Sequence, residues 1–179
     1  METNPIIESI LTRRSIRRFT GKPIEDEKLQ TILKCGAFAP TAKNTKAWKF
    51  FVIKDKNLFA RIMEINPFAS ALKTADTAIA VCIDYDKVLP GYAPVDASAA
   101  TENILLAAHA LGLGSCWIGI YPNADRVDNM QDALGLPDHV EVITLVALGY
   151  YDEEPKQPQR DYTHYVVNGE WIEDAPEAK

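Results

Sequence analysis

The stretch ENILLAAHALGLGSCWIG, residues 102–119, decides the fold. Its first half belongs to a helix predicted from about Ala93 to Leu111, which is apolar nearly all round and should therefore be deeply buried. Gly112 and Gly114 end that helix. Ser115–Ile120 follows as a short strand. The centre of the molecule is therefore predicted to be a buried helix that leads directly into a strand.

The remaining elements alternate between helices and buried strands. Further helices are predicted to start at Asn4 and Pro5, to run from about Glu25 to Gly36, and to cover Lys54–Ile65 and Ala124–Leu134. Strands are predicted at Phe50–Ile53, Ala78–Ile83 and Glu141–Gly149, where apolar runs lack alternation and so require cover on both faces. Such a mixture predicts a sheet with helices on its faces, but periodicity does not supply the strand order.

Composition limits the class of protein. Asp and Glu number 25 against 19 Lys and Arg, and the formal net charge is −6, which argues against a nucleic-acid partner. With 179 residues, 47% of them hydrophobic, the chain is expected to form one domain over residues 1–179. The apolar runs are too short for membrane spans, and the polar amino terminus does not resemble a signal peptide. The cytoplasm is the expected location.

The cysteines and histidines are scattered along the chain. Cys35, Cys82 and Cys116 form no close pair, which suits reduced thiols and predicts neither a disulfide framework nor a metal site. Cys116 is expected to be a buried structural thiol, because no motif places a histidine beside it. His109 is expected to be a hydrogen-bonded residue of the buried helix rather than a proton donor.

Four arginines stand within six residues in TRRSIRRFT, residues 12–20. If this segment is extended, alternation places Arg13, Ser15 and Arg17 on one side, with Arg14 and Arg18 on the other. Two guanidinium groups with a hydroxyl between them suit a phosphate monoester. The alternative is a solvated basic face paired with acids, and composition alone favours that interpretation. Neither GxGxxG nor GxxxxGK[ST] occurs, so no glycine-rich nucleotide loop is predicted.

Several blocks in a fixed order resemble one known family. TRRSIRRF, APTAKNTKAWKFFVI, ENILLAAHALGLGSCWIG, LGLP and VALGYYDEEP with a later arginine are together similar to the FMN-dependent nitroreductases, over residues 8–162. The resemblance implies an α+β fold, a three-layer α/β/α sandwich whose mixed, mainly antiparallel sheet is covered by helices. It also implies a homodimer with FMN at the interface.

The resemblance implies a cofactor-binding set drawn from four blocks. The first block binds the FMN phosphate and ring, with Arg17 nearer the ring. The second reaches the flavin of the partner subunit, the third runs along the isoalloxazine, and a late arginine returns to the phosphate. The implied residues are Arg13, Arg14, Ser15, Arg17, Pro40, Thr41, Ala42, Asn44, Cys116, Trp117, Ile118, Gly119 and Arg160. Lys46 replaces a glutamine that relatives often carry, so contacts of Lys46 and of Lys73 are left open.

The implied activity is electron transfer from NADH or NADPH through FMN to a nitroaromatic, quinone or similar small acceptor, by a ping-pong mechanism. No side chain is expected to act as an essential general acid or base, since the hydride passes at flavin N5. The alternatives are a non-catalytic protein that sequesters flavin, and a reductive dehalogenase or flavin-cleaving member of the same fold. Residues 150–179 are expected to form an arm on the dimer partner, with Tyr165–Trp171 covering its surface.

Overall fold

The structure is a computed structural model that describes residues 4–153, 155–157 and 160–166. Five α-helices and four strands alternate along it: α1 Pro5–Thr12, α2 Asp26–Ala37, β1 Trp48–Ile53, α3 Lys56–Ile65, β2 Thr77–Asp84, α4 Ala93–Ala110, β3 Gly114–Gly119, α5 Ala124–Leu134 and β4 Val140–Gly149. Short 3-10 turns lie at Ala42–Asn44, Ser70–Lys73 and Tyr162–Tyr165. Within the described residues, no helix combines the length and the hydropathy that a membrane span requires.

The sheet has the order β1-β2-β4-β3, and every neighbouring pair of strands is antiparallel. The predicted strands are therefore confirmed, and the order that periodicity could not supply is now given. A parallel contact also occurs, an isolated bridge between Ser15 and Ser115 on the outer edge of β3. Strands β2 and β4 are buried along nearly their whole length, as their unbroken apolar runs predicted.

Two apolar layers cover the sheet, which confirms the three-layer sandwich. On one face, Phe59 and Ile62 of α3 and Met130 of α5 pack with residues of the strands. On the other, Ile32 of α2 and Ile104 of α4 pack against the sheet. Each layer is one cluster of buried side chains in mutual contact, and the sheet lies between the two.

Helix α4 is the buried helix that the sequence predicted. Eight of its residues are buried, including Asp96 near its start and Ala108 near its end. Gly36 of α2 is where the two helices meet, because a Cβ there would lie 2.8 Å from Cγ1 of Ile104. The absence of a side chain at this position lets the α2 and α4 backbones approach closely.

Helix α1 lies outside this core. Asn4 caps it through a 2.9 Å bond from the Ile6 amide, as predicted. None of its residues is buried, however, and the apolar face expected to pack inward is exposed at Ile6, Ile7, Ile10 and Leu11. Among the described residues, a row of four exposed large aliphatic side chains on one helix face is unusual.

Truncation at the α2–α4 contact should be costly. We expect Ile104→Ala to lower the free energy of unfolding by about 2–5 kcal/mol, because it removes a fully buried side chain from a close-packed layer. Lys34→Ala, on the exposed side of α2, should change it by less than about 0.5 kcal/mol. Urea denaturation followed by circular dichroism measures both values, and an Ile104→Ala loss as small as that of Lys34→Ala would contradict this packing.

Candidate functional site

The arginine segment lies along the edge of the sheet. The Ile16 amide donates to the Ser115 carbonyl over 2.9 Å, and Thr20 continues to the Tyr150 carbonyl over 2.8 Å. The segment is thus extended, as predicted, and it joins the start of β3 to the end of β4. Because Ser15 pairs with Ser115 by a single bridge, the segment is not a regular strand.

The first two arginines are held by the chain itself. Arg13 Nε lies 3.4 Å from the Glu102 carboxylate of α4. Arg14 donates to the Leu11 carbonyl over 2.9 Å and to the Gln157 side chain, while its own Nε is buried without a described partner. Arg14 therefore ties the end of α1 to the carboxyl-terminal arm, a structural role that the sequence did not suggest.

A cavity of about 370 Å³ opens beside the next residues of the segment. It is lined by Ser15, Ile16, Arg17, Arg18, Glu153, Pro155 and Lys156. Alternation separates Ile16 and Arg18 from Ser15 and Arg17, but all four line this cavity, because the single bridge does not impose strand geometry on the segment. Arg18 pairs with Glu153 at 3.4 Å, and both side chains are largely exposed.

The beginning of the arm lies against its own chain. Gln157 contacts Arg14 and donates to the Thr12 carbonyl over 3.3 Å, and Pro155 is half-buried. Lys156, which lines the cavity, was missed because nothing in the proline-rich stretch marked it for a site. Arg160 is exposed, and its contact with a phosphate stays a prediction. Of the predicted Tyr165–Trp171 segment, residues 167–171 lie outside the described residues.

The outer edge of β3 presents backbone groups toward the same side. The Ser115 carbonyl faces outward to Ile16, and alternation therefore turns the N–H groups of Trp117 and Gly119 outward as well. The Gly119 carbonyl accepts from the Asn66 amide at 3.0 Å, and Asn66 is fully buried. A Cβ at Gly119 would meet no atom within 4 Å. This end of β3 is therefore an open backbone surface, and a hydrogen bond from Asn66 holds its last carbonyl.

Cys116 and Ile118 point the other way, into the core. Both are buried, and Trp117 is half-buried on the opposite face of the strand. Burial raises the pKa of the Cys116 thiol, and the charge of Arg17 offsets only part of this effect. The expectation of a buried structural thiol is confirmed, since a protonated buried sulfur is a poor nucleophile. Cys116 and Ile118 can thus meet a ligand only through their backbone, whereas Gly119 is open.

The loop before β1 has an unusual backbone. Lys43, Asn44 and Lys46 all have positive φ, at 49°, 58° and 51°, although none is glycine. The loop is held by the Ala42 amide, which donates to the Asp96 carboxylate over 3.0 Å, and by the Lys46 amide, which donates to Thr41. Asp96 was missed by sequence reasoning, which treated the first turn of α4 only as a helix start.

The loop and the arginine segment lie at opposite corners of one chain. The loop leads into β1 at one edge of the sheet, whereas the arginines lie beside β3 at the other edge. Helix α4 gives the scale: Asp96 holds the loop, and His109, thirteen residues later, lies 2.8 Å from the Thr12 hydroxyl. At 1.5 Å per residue these anchors are about 20 Å apart. One chain therefore does not bring the two predicted halves of the site together.

A family model for the nitroreductase family matches residues 10–67 and 64–150. The chain belongs to the nitroreductase family. Two relatives are provisionally named NADH dehydrogenase/NAD(P)H nitroreductase. The protein from Archaeoglobus fulgidus is 40% identical over 83% of this chain and 86% of its own length. The protein from Methanothermobacter thermautotrophicus is 38% identical over 84% and 79%.

Solved structures of the nitroreductase fold superpose closely. A protein from Parabacteroides distasonis, also provisionally named NADH dehydrogenase/NAD(P)H nitroreductase, has a TM-score of 0.90 at 32% identity over 94% of this chain and 100% of its own. An FMN-dependent nitroreductase from Clostridium difficile has a TM-score of 0.85 at 32% identity over 92% and 99%. The NADPH:FMN oxidoreductase of Vibrio harveyi, complexed with NAD+, has a TM-score of 0.85 at 27% identity over 96% and 80%.

His139 of this nitroreductase-family chain lies close to two aspartates. Ligand atoms of His139, Asp84 and Asp86 lie within 4.8 Å of one another. Asp84, however, is buried against Lys87 at 2.6 Å, and this contact lowers its pKa. A lysine ammonium already supplies the positive charge that a metal ion would bring.

His109 lies between α4 and the arginine segment. Its hydrogen bond to Thr12 confirms the expected structural role. Burial lowers the pKa of His109, and the charges of Arg13 and Arg14 lower it further. Protonation would place a third cation beside these two, so the folded protein favours the neutral imidazole.

Stability should therefore fall as the pH falls from 7 to 5.5. As the pH falls through the ordinary His pKa of 6.5, the unfolded chain binds a proton at His109 that the folded chain binds less readily. Glu25 and Asp84, whose pKa values are lowered, titrate below this pH range. Urea midpoints at the two pH values should differ less for His109→Gln than for the natural protein. An equal difference in both proteins would show that His109 does not carry this dependence.

Proposed function

We propose that this chain is an FMN-dependent oxidoreductase that uses NADH or NADPH. The observation that carries the proposal is the arrangement along β3: guanidinium groups at its beginning and an open backbone surface at its end. Bound FMN would supply the two-electron chemistry, accepting hydride at N5 and returning electrons to a nitroaromatic or quinone in a ping-pong cycle. The names of the relatives support both the cofactor and the donor.

The residues along β3 match FMN in charge and in length. Ser15, Arg17 and Lys156 line the cavity, and a hydroxyl with cations beside it suits a phosphate. Arg18 also lines it, but its charge is paired with Glu153. From Ser115 to Gly119 the strand extends about 14 Å, a distance suited to an extended FMN with its phosphate at one end and its ring at the other. Outward N–H groups at Trp117 and Gly119 can then donate to the polar edge of the ring.

Each part of the chain has a separate task in this arrangement. Ser15 binds the phosphate in the cavity, Arg13 adds its charge from outside the lining residues, and Arg17 stabilises negative charge at the N1 edge of the ring. Gly119 allows the backbone to approach the ring closely. Asn66 donates a hydrogen bond to the Gly119 carbonyl, so the end of β3 keeps its position. The contribution of the protein is orientation and electrostatics rather than proton transfer.

We further propose that the functional unit is a homodimer in which the loop of one chain completes the flavin site of the other. The separation of loop and arginines by about 20 Å within a chain supports this, because only a second copy can bring them together. The exposed face of α1 adjoins an apolar groove of about 420 Å³ lined by Ile10, Phe38, Leu106 and Ala110, among others. Such a continuous apolar surface suits burial against a second copy.

The three cysteines are free thiols, which suits the cytoplasm as the proposed location. Reductive dehalogenation, an alternative from sequence, normally requires a large lid with charged substrate contacts. The connections between described helices and strands leave little length for such an insertion. Flavin storage without turnover differs from the proposed function in its kinetics rather than in its binding site.

The deciding experiment starts from protein purified without added cofactor. Heat should release a chromophore whose mass identifies FMN, and anaerobic NADH or NADPH should bleach the yellow holoprotein within seconds. A holoprotein that stays yellow would indicate storage of flavin. A colourless protein that binds no added FMN would overturn the proposal.

Two arginines of the segment should differ in their effect on FMN binding. We expect Arg13→Ala to weaken binding about 10- to 100-fold, because charge-assisted bonds to a phosphate are strong. Arg18→Ala should change it less than about threefold, since its exposed pair with Glu153 contributes little. Quenching of flavin fluorescence on titration gives both dissociation constants. Equal losses would show that the phosphate does not lie on the Arg13 side.

A substitution at Gly119 should affect FMN binding without affecting folding. Gly119→Val should leave the urea midpoint unchanged or higher, because its Cβ meets open space and valine favours strands. It should weaken FMN binding at least about tenfold, because the side chain occupies the place of the ring. Unchanged FMN affinity in a stable Gly119→Val protein would place the ring elsewhere.

A further inference from the structure

We propose that Asp96 is the positioning residue of this site: it fixes the 41–46 loop so that the loop can contact the flavin held by the partner's arginine segment. This inference rests on the proposed function, and it concerns a residue that neither the sequence motifs nor the family blocks above assign. Asp96 is 3% exposed, and one carboxylate oxygen accepts the Ala42 amide at 3.0 Å.

A carboxylate is rarely buried so completely without several partners. Within the described residues, the second oxygen of Asp96 has no hydrogen-bond partner, and the buried Thr45 hydroxyl in the same loop has none either. Asp96 lies in the first turn of α4, where the helix dipole stabilises negative charge. The start of α4 therefore stabilises the carboxylate charge. The only described hydrogen bond of this side chain comes from the loop, at the Ala42 amide.

The loop needs such support because of its backbone. Lysine is disfavoured in the left-handed region, yet Lys43 and Lys46 both adopt it, on either side of Asn44 and Thr45. The amides of Asn44 and Thr45 bond back to the carbonyls of Thr41 and Ala42, so the turn is built on these two residues. The Asp96 bond to the Ala42 amide thus fixes the base of a strained turn.

The bond is not needed to start the next strand. Ala47 directly after the loop is fully buried, and its carbonyl accepts the Asp84 amide at 2.9 Å. Before the loop, Ala39 is buried and bonds to the Gly36 carbonyl. Both ends of the loop are therefore anchored without Asp96. What Asp96 adds is the conformation between them, where the predicted flavin contacts Thr41, Ala42 and Asn44 lie.

Three variants test this role by FMN titration. Asp96→Ala should weaken FMN binding about tenfold, since the loop loses its anchor. Asp96→Asn should stay within about threefold of the natural protein, because the amide oxygen can still accept from Ala42. Asp125→Ala removes an exposed first-turn acid of α5 and should change nothing, which controls for the helix dipole. Should Asp96→Ala fail to fold, Asp96→Glu takes its place with the same expected loss.

Mixed dimers separate a positioning role from a general loss of stability. Asp96→Ala and Arg13→Ala chains are unfolded together and refolded as a mixture. If the loop serves the partner's flavin, each mixed dimer has one intact site, so about a quarter of the natural number of tight sites should return. A merely structural defect in the Asp96→Ala chain would give no such recovery, because every site would keep one damaged chain.

Each outcome has a definite meaning. Failure of the natural protein to bind FMN overturns the proposed function itself. Tight binding by natural protein and Asp96→Ala alike overturns only the role of Asp96. Weak binding by Asp96→Ala without recovery in the mixture also overturns it, as does a folded Asp96→Asn that binds as weakly as Asp96→Ala. Recovery in the mixture with near-normal Asp96→Asn is the expected result.

Discussion

The rigidity of one buried helix sets the layout of the whole molecule. Helix α4 packs against the sheet along its length. One end contacts the 41–46 loop and the other contacts the start of the arginine segment, so the two halves of the candidate site lie far apart. Because a packed helix neither shortens nor bends by 20 Å, the loop cannot fold back onto the arginines of its own chain. The proposed homodimer rests on this constraint. The exposed apolar face of α1 supplies a surface on which a second copy can dock.

The distribution of charge also favours the binding of a small anion at the arginine segment. The protein carries a net −6, yet its arginines are concentrated in one segment at the sheet edge. Some of these cations are partly neutralised within the chain, by Glu102 and by Glu153, and others line the cavity. A small anion would be attracted locally, whereas an extended polyanion would meet mostly negative surface. This contrast explains how an acidic protein can hold a phosphorylated cofactor.

The sequence predicted the layers and the strands because burial leaves a clear pattern: β2 and β4 are nearly unbroken apolar runs, and α4 is apolar on most of its surface. It did not predict strand order, which depends on long-range pairing. It did not predict that Arg18 lines the same cavity as Arg17, because alternation assumes a regular strand and only Ser15 forms a bridge. It missed Asp96 and Lys156, since a buried carboxylate and an arm lysine have no local signature. The resemblance, rather than periodicity, predicts that residues 40–44 and 116–119 are parts of one site.

Sedimentation velocity, detected at the visible absorption of the flavin, tests the shared site most directly. The account predicts that bound flavin sediments with a particle of twice the 19.9 kDa chain mass, and that dilution which separates the chains also releases the flavin. Flavin that sediments with a single chain, and stays bound at dilutions where no dimer remains, would contradict the account.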